Sequence, residues 1–278
     1  MTKTTLYHTP NGALAVHQSE GIGAPIVLLH GNSSSARAFS RQLEGPLGRR
    51  RRLVAIDLLG HGQSENASDP AAYLLPGHAL AVVAIAGNFA LDQAVFVGWS
   101  LGGNIVLEAA KDLTKARGFM IVGAPPLRLP PPAPPPAPAK RPFLPNPATT
   151  VGFSPEITRE QAKAYVASFF APGFADAPAF FVEDALRTDG RARAQLAASM
   201  APGVSRDETQ VVGGLKQPLA ALHGAKDQIV NGTYYAGVAM PTLWRGAVQT
   251  IAAAGHTPQW ETPAEFDAAL DAFVADCG

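Results

Sequence analysis

Cysteine is nearly absent. Cys277, close to the C-terminal end, stands alone with no motif around it, so no internal disulfide can staple the fold. Long apolar runs are absent too. Stretches such as residues 79–86 fall short of the ~18 residues that a membrane-crossing helix needs. The opening Met1-Thr2-Lys3-Thr4-Thr5 leads into no apolar h-region, which makes a cytoplasmic location the default expectation. Charge is scarce and balanced. Charged residues make up 16% of the chain and the formal net charge is zero, which excludes a global field that would gather nucleic acid or an anionic membrane. The one dense basic run, Arg49-Arg50-Arg51-Arg52, lacks interleaved aromatics. It reads as a solvated loop leading into a strand, with an anion contact as the alternative.

What is present suffices for one substantial core with a small insertion: 278 residues, 47% of them apolar. Short apolar strands are expected at 13–18, 26–30, 53–56, 95–97 and 119–122, then at 219–223 and 248–251. Helices are expected at 36–44, 72–89 and 103–112, with a last one opening at Pro263. This alternation predicts a largely parallel sheet covered on both faces. The rhythm breaks between Ala124 and about Gly214. That stretch runs through Pro125-Pro126, Pro130-Pro131-Pro132 and Pro134-Pro135-Pro136, where polyproline II is the expected local form. Short helices are expected at 156–170, 176–187 and 191–200, with Phe169-Phe170, Phe174, Phe180-Phe181 and Met200 as an apolar lining. Such a lining suits both a cap core and a pocket wall for an acyl chain. The predicted organisation is a core at 1–123, a cap with a proline-rich lead-in loop at 124–214, and a second core segment at 215–278.

The chemistry centres on Gly98-Trp99-Ser100-Leu101-Gly102. The apolar run Ala94-Val95-Phe96-Val97 precedes it and a helical run follows from Gly103. A serine between strand and helix, with glycines two residues away on each side, is the nucleophile-elbow pattern. The turn is tight, so its neighbours must be small, and it holds a hydroxyl clear of the backbone at a helix N-terminus. The bland alternative is a serine that only caps the helix.

A serine hydroxyl is a poor nucleophile until a base takes its proton. His256, in Ala254-Gly255-His256-Thr257-Pro258, falls just after a predicted strand and is the expected base. Asp227, past the strand ending at His223, is the acid expected to orient the imidazole. Asp207 and Glu208 are its rivals, but they precede that strand. The order Ser100, Asp227, His256 is that of the α/β-hydrolase fold. Acyl transfer also needs donors for an oxyanion. One is expected from the backbone N–H of Leu101. The other is expected from that of Asn32 in His30-Gly31-Asn32-Ser33-Ser34-Ser35, whose side chain offers a second way to reach substrate. This loop lacks the Gly-Lys-Ser/Thr ending of a P-loop. His30 reads as structural. Asp57-Leu58-Leu59-Gly60-His61-Gly62-Gln63-Ser64 superficially suggests a metal or nucleotide site. One Asp and one His make no metal shell of strong spacing, and the glycines suit a turn at the active-site rim. No metal and no cofactor are expected.

With these landmarks the chain resembles an α/β-hydrolase over its whole length. Within that superfamily it resembles the metal-independent N-acyl-homoserine lactonases. The narrower match rests on Leu29-His30-Gly31-Asn32-Ser33-Ser34-Ser35, Gln42-Leu43-Glu44-Gly45, Gly98-Trp99-Ser100-Leu101-Gly102-Gly103, Arg187-Thr188-Asp189-Gly190-Arg191-Ala192-Arg193 and Pro263-Ala264-Glu265-Phe266-Asp267. The resemblance implies a mostly parallel eight-stranded sheet flanked by helices, with an inserted helical cap. It implies an enzyme that opens the homoserine lactone ring and so silences quorum signals. It places Asn32 at the oxyanion site and Tyr165 in the cap near the substrate carbonyl or amide. Trp99, beside the nucleophile, is expected among the substrate contacts. The proline-rich insertion departs from the resembled pattern, and so does the acid, where members carry Glu near the Asp227 position. A general carboxylesterase, or an enol-lactone or C–C hydrolase, is the rival on the same fold. A non-catalytic small-molecule sensor is the rival from another class. The expected partner is a small ester or lactone, with a weak protein contact through the proline-rich loop as an addition.

Overall fold

The computed structural model describes residues 2–133 and 137–278; the proline run at 134–136 lies outside them. Eight strands form one sheet: β1 (Lys3–Thr9), β2 (Gly12–Gln18), β3 (Ile22–Leu29), β4 (Arg51–Ile56), β5 (Val95–Trp99), β6 (Gly118–Val122), β7 (Leu219–Gly224) and β8 (Gln249–Ile251). Their order is β1-β2-β4-β3-β5-β6-β7-β8. The β1–β2 and β2–β4 pairs are antiparallel and the rest are parallel. The helices among the described residues are α1 (Ser40–Leu43), α2 (Pro46–Arg50), α3 (Leu75–Asn88), α4 (Leu101–Ala109), α5 (Arg159–Ala167), α6 (Phe180–Arg187), α7 (Gly190–Ser199), α8 (Glu208–Gly214), α9 (Pro258–Glu261) and α10 (Pro263–Asp276). None of them is long and apolar enough to cross a membrane.

Successive side chains leave a strand on opposite faces, and both faces here are buried. Val27, Leu29, Phe96 and Ile121 pack on one side against Val82 of α3 and Ile105 of α4. Ile26, Leu28, Val97 and Met120 pack on the other against Leu47, Phe266 and Phe273. Burial on both sides is why these strands read as unbroken apolar runs. β1 escapes that signal. It is an edge strand whose residues are exposed or only partly buried. The arginine run is not a loop. Arg49 and Arg50 close α2, which Pro46 opens, and Arg51 and Arg52 begin β4. Arg50 and Arg51 pair with Asp271 of α10 at 3.2 and 2.8 Å.

Helices α5 to α8 lie between β6 and β7 in the chain. Thr158 caps α5 and Gln161 completes a capping box. The aromatic lining divides between two jobs. Phe170, Phe174, Phe180 and Phe181 pack on one another and on Trp260, with Phe180 and Phe181 ring centroids 4.5 Å apart. Phe169 and Met200 instead face the cavity over Ser100. The run Arg187-Thr188-Asp189-Gly190-Arg191-Ala192-Arg193 ties this region to the core. Tyr73 donates to Asp189 at 2.6 Å, Arg187 to Ser64 O at 2.7 Å and Arg191 to Ala67 O at 3.0 Å. Gly190 is needed because a Cβ there would lie 1.9 Å from Pro155 O. A second tie joins α6 to the loop after β3: Ser35 donates to Asp184 at 2.6 Å and Arg37 pairs with the same carboxylate.

Candidate active site

Ser100 stands between β5 and α4 with φ 53° and ψ −122°. A non-glycine residue at positive φ costs backbone energy, and such strain gathers at functional turns. The packing around it explains the glycines. A Cβ on Gly98 would lie 2.2 Å from Gly102 C and O, and one on Gly102 would lie 2.2 Å from Leu29 O. The loop after β3 also comes close, since a Cβ on Gly31 would sit 3.1 Å from that of Ser100. Asn32 is thereby brought beside the serine.

His256 and Asp227, the expected base and acid, lie side by side. His256 Nδ1 lies 2.7 Å from Asp227 Oδ2. The other Asp227 oxygen accepts the N–H groups of Ile229 and Val230 at 2.7 and 3.0 Å. Burial alone would raise the pKa of this carboxyl; the His256 imidazole and the two N–H groups outweigh it and hold it below the usual value. Gly123, at φ 54°, makes room for the imidazole, because a Cβ there would lie 2.9 Å from His256 Nδ1. Trp99 donates Nε1–H to His256 O at 2.7 Å, and Glu261 accepts from Gly255 N at 2.9 Å. The histidine is thus fixed from the strand that carries the serine and from α9. Ser100 and His256 line one cavity of about 100 Å³. No hydrogen bond joins their side chains among the described residues; contacts of this kind tighten in the substrate complex.

Leu101 is the first residue of α4, where N–H groups lack an intrahelical acceptor. Asn32 lines the same cavity, but its side chain is engaged elsewhere, since Nδ2 donates to Gly152 O at 2.7 Å. The backbone N–H expected to serve an oxyanion belongs to the same residue. Tyr165 lines the cavity, and its hydroxyl stands against Gly152 and Asn32: a Cβ on Gly152 would lie 2.6 Å from it. Burial raises the Tyr165 pKa and keeps its hydroxyl neutral. Trp99 also reaches the cavity, in addition to anchoring His256.

The remaining motif residues serve the scaffold. His30 Nε2 accepts from Leu58 N at 3.0 Å and Nδ1 lies 2.7 Å from Gly31 O, so Nδ1 carries the proton. Burial lowers its pKa and keeps it neutral. Asp57 lies 3.0 Å from His17 Nε2 and accepts from Ala36 N and Gln63 N at 2.7 and 2.8 Å. It pins the end of the loop that carries Asn32. Of the rival acids, Asp207 caps α8 and Glu208 turns to Asn104, a cavity residue that sequence reasoning missed. No group of three or more His, Cys, Asp and Glu among the described residues is placed to hold a metal ion.

The chain belongs to the alpha/beta hydrolase family, whose model matches residues 26–269. Over nearly its full length it is similar to the N-acyl homoserine lactonase AidH. In complex with N-butanoyl homoserine, AidH shares 33% identity with a TM-score of 0.91, over 99% of this chain and 97% of that one. An AidH mutant in complex with N-hexanoyl homoserine lactone gives 33% and 0.90, over 99% of this chain and 98% of that one. The pimeloyl-(acyl-carrier protein) methyl ester esterase of Xylella fastidiosa (strain M12) is 35% identical over 106 residues, 38% of either chain. An esterase from Exiguobacterium antarcticum reaches a TM-score of 0.80 at 18% identity, covering 99% of this chain and 100% of that one, a likeness of fold alone.

Proposed function

We propose that this hydrolase opens the lactone ring of N-acyl homoserine lactones, with Ser100 as nucleophile, His256 as base and Asp227 as its orienting acid. The observation that carries this reading is the full-length likeness to AidH at 33% identity. Beside it, Ser100, His256, Asn32 and Tyr165 share one cavity.

His256 takes the Ser100 proton as the hydroxyl attacks the lactone carbonyl. The backbone N–H groups of Leu101 and Asn32 hold the oxyanion. His256 then gives the proton to the ring oxygen as the C–O bond breaks. The hydroxyl so formed stays tethered through the acyl group. Water, deprotonated by the same histidine, attacks the acyl-enzyme and frees the open hydroxy acid. Asp227 keeps the imidazole in the right tautomer and stabilises the imidazolium.

General ester hydrolysis is the second reading, supported by the shorter likeness to the Xylella methyl ester esterase. A substrate panel separates the two. Purified protein is offered several acyl homoserine lactones, p-nitrophenyl esters and enol lactones, with a chelator throughout. Ring opening of the homoserine lactones, unchanged by chelator, is expected. Ester cleavage without lactone opening would reject the substrate assignment.

A further inference from the structure

Glu208 is a carboxyl group held where burial is costly. It is fully buried at the start of α8. Its Oε2 accepts two N–H groups, from Asn104 Nδ2 at 2.9 Å and Leu127 N at 2.8 Å, while Oε1 has no partner. Burial raises its pKa to about 8, against the pull of the Leu127 and Asn104 donors; the nearby Glu108 and Asp207 carboxylates push it further up. Near neutral pH it is therefore a carboxylic acid whose Oε2, as a double acceptor, is the carbonyl oxygen.

The consequence falls on Asn104. This residue lies on α4 four residues past Ser100, about 6 Å along the axis, and it lines the cavity. Because Oε2 already accepts from Leu127, it presents a lone pair to Asn104, which fixes the amide with Nδ2 toward Glu208. The Asn104 carbonyl oxygen, Oδ1, is the end left for the cavity. Apart from the Tyr165 hydroxyl at the Gly152 end, the other polar side chains there are committed. Ser100 and His256 are the reacting pair, Asn32 Nδ2 is held by Gly152 O, and the Thr149 hydroxyl donates to Asn146 O at 2.6 Å.

We infer that Asn104 Oδ1 accepts a hydrogen bond from an amide N–H on the carbon next to the scissile carbonyl, so that the site selects α-acylamino esters and lactones over their ester-linked counterparts. This rests on the acyl-transfer reading above. The nitrogen of such a substrate is two bonds from the carbonyl carbon that Ser100 attacks, within reach of a side chain one turn along the same helix. An ester oxygen in its place would set two acceptors against each other, and a site built for an N–H rejects such an analogue.

The test uses two substrate pairs. One is N-hexanoyl homoserine lactone and its α-hexanoyloxy lactone counterpart. The other is the methyl esters of N-hexanoylglycine and of hexanoyloxyacetic acid. Products are identified by mass spectrometry for wild type, Asn104→Leu, Asn104→Ala, Glu208→Leu and Glu208→Gln. The amide-to-ester ratio of kcat/KM should fall about tenfold or more in both Asn104 variants. Glu208→Leu should lower it, and Glu208→Gln should hold it, because its amide oxygen still accepts from Asn104. An unchanged ratio on both pairs in a folded Asn104 variant overturns the proposal. Equal loss in Glu208→Gln and Glu208→Leu overturns the part given to Glu208. A wild type that opens neither lactone, yet shows the ratio on the methyl esters and loses it in Asn104→Leu, overturns the lactonase reading and upholds the role of Asn104.

Discussion

Asp227 Oδ2 is committed to one of two neighbouring histidines: it lies 2.7 Å from His256 Nδ1, while His223 Nδ1 stands off at 3.9 Å. The short contact orients the imidazole that faces Ser100. Asp227→Asn would keep the shape and lose the carboxylate that sets the tautomer. The expected result is a fall in kcat/KM of about 10³–10⁴-fold on an acyl homoserine lactone, with partial recovery in Asp227→Glu. A loss under tenfold would show that another acid does this work. The carboxyl has a folded pKa below its ordinary value. Its charge therefore adds stability that is present above the usual carboxylate range and is lost as pH falls through the depressed pKa. Thermal unfolding of Asp227→Asn should depend less on pH in that acidic window.

Glu208 should behave in the opposite sense. Its pKa rises from 4.5 to about 8 on folding. The stability it contributes is fully present below the unfolded value and is lost as pH climbs through the folded one. The wild-type Tm is expected to decline from mildly acidic to alkaline buffer, and Glu208→Gln is expected to flatten that decline. Parallel curves for the two proteins would count against a neutral Glu208.

Tyr165 presents its hydroxyl beside Asn32 and Gly152. Tyr165→Phe removes one donor from the polar end of the cavity without changing its shape. A rate loss of about tenfold is expected on homoserine lactones, with a smaller loss on p-nitrophenyl esters. Equal losses on both would place the hydroxyl outside lactone recognition.

Asp184 joins α6 to the loop that carries Asn32, through Ser35 and Arg37. Asp184→Ala would leave the buried Ser35 hydroxyl without its acceptor. The expected destabilisation is about 1–3 kcal/mol, read by urea unfolding, together with a lower kcat because the loop that carries Asn32 loses its tether. Unchanged stability would show that the loop is held by Asp57 alone.

The parts of this site that were legible in the sequence are local or ordered along the chain. The elbow around Ser100 needs small residues within two positions of the serine, and the packing of Gly98 and Gly102 shows why. Asp227 follows a buried strand, which an apolar run marks well, and His256 follows the short strand Gln249–Ile251. What escaped depends on contacts between distant residues. Asn104 and Glu208 are 104 positions apart, and nothing local in Glu208-Thr209-Gln210 distinguishes a buried acid from an exposed one. β1 escaped because its residues alternate toward solvent, and α2 because the four arginines overshadow the helix start at Pro46. The Arg187-Thr188-Asp189-Gly190-Arg191-Ala192-Arg193 run stood out by resemblance, but its work, tying the cap region to Tyr73, Ser64 and Ala67, is visible only in three dimensions.

The central claim is that Ser100 drives lactone opening without a metal. It is tested most directly by following the ring opening of N-hexanoyl homoserine lactone by wild type and Ser100→Ala, each with and without chelator. The expected result is opening by wild type that chelator does not change, and a loss of about 10³-fold or more in Ser100→Ala. Ring opening by Ser100→Ala at the wild-type rate, or wild-type activity abolished by the chelator, would contradict it.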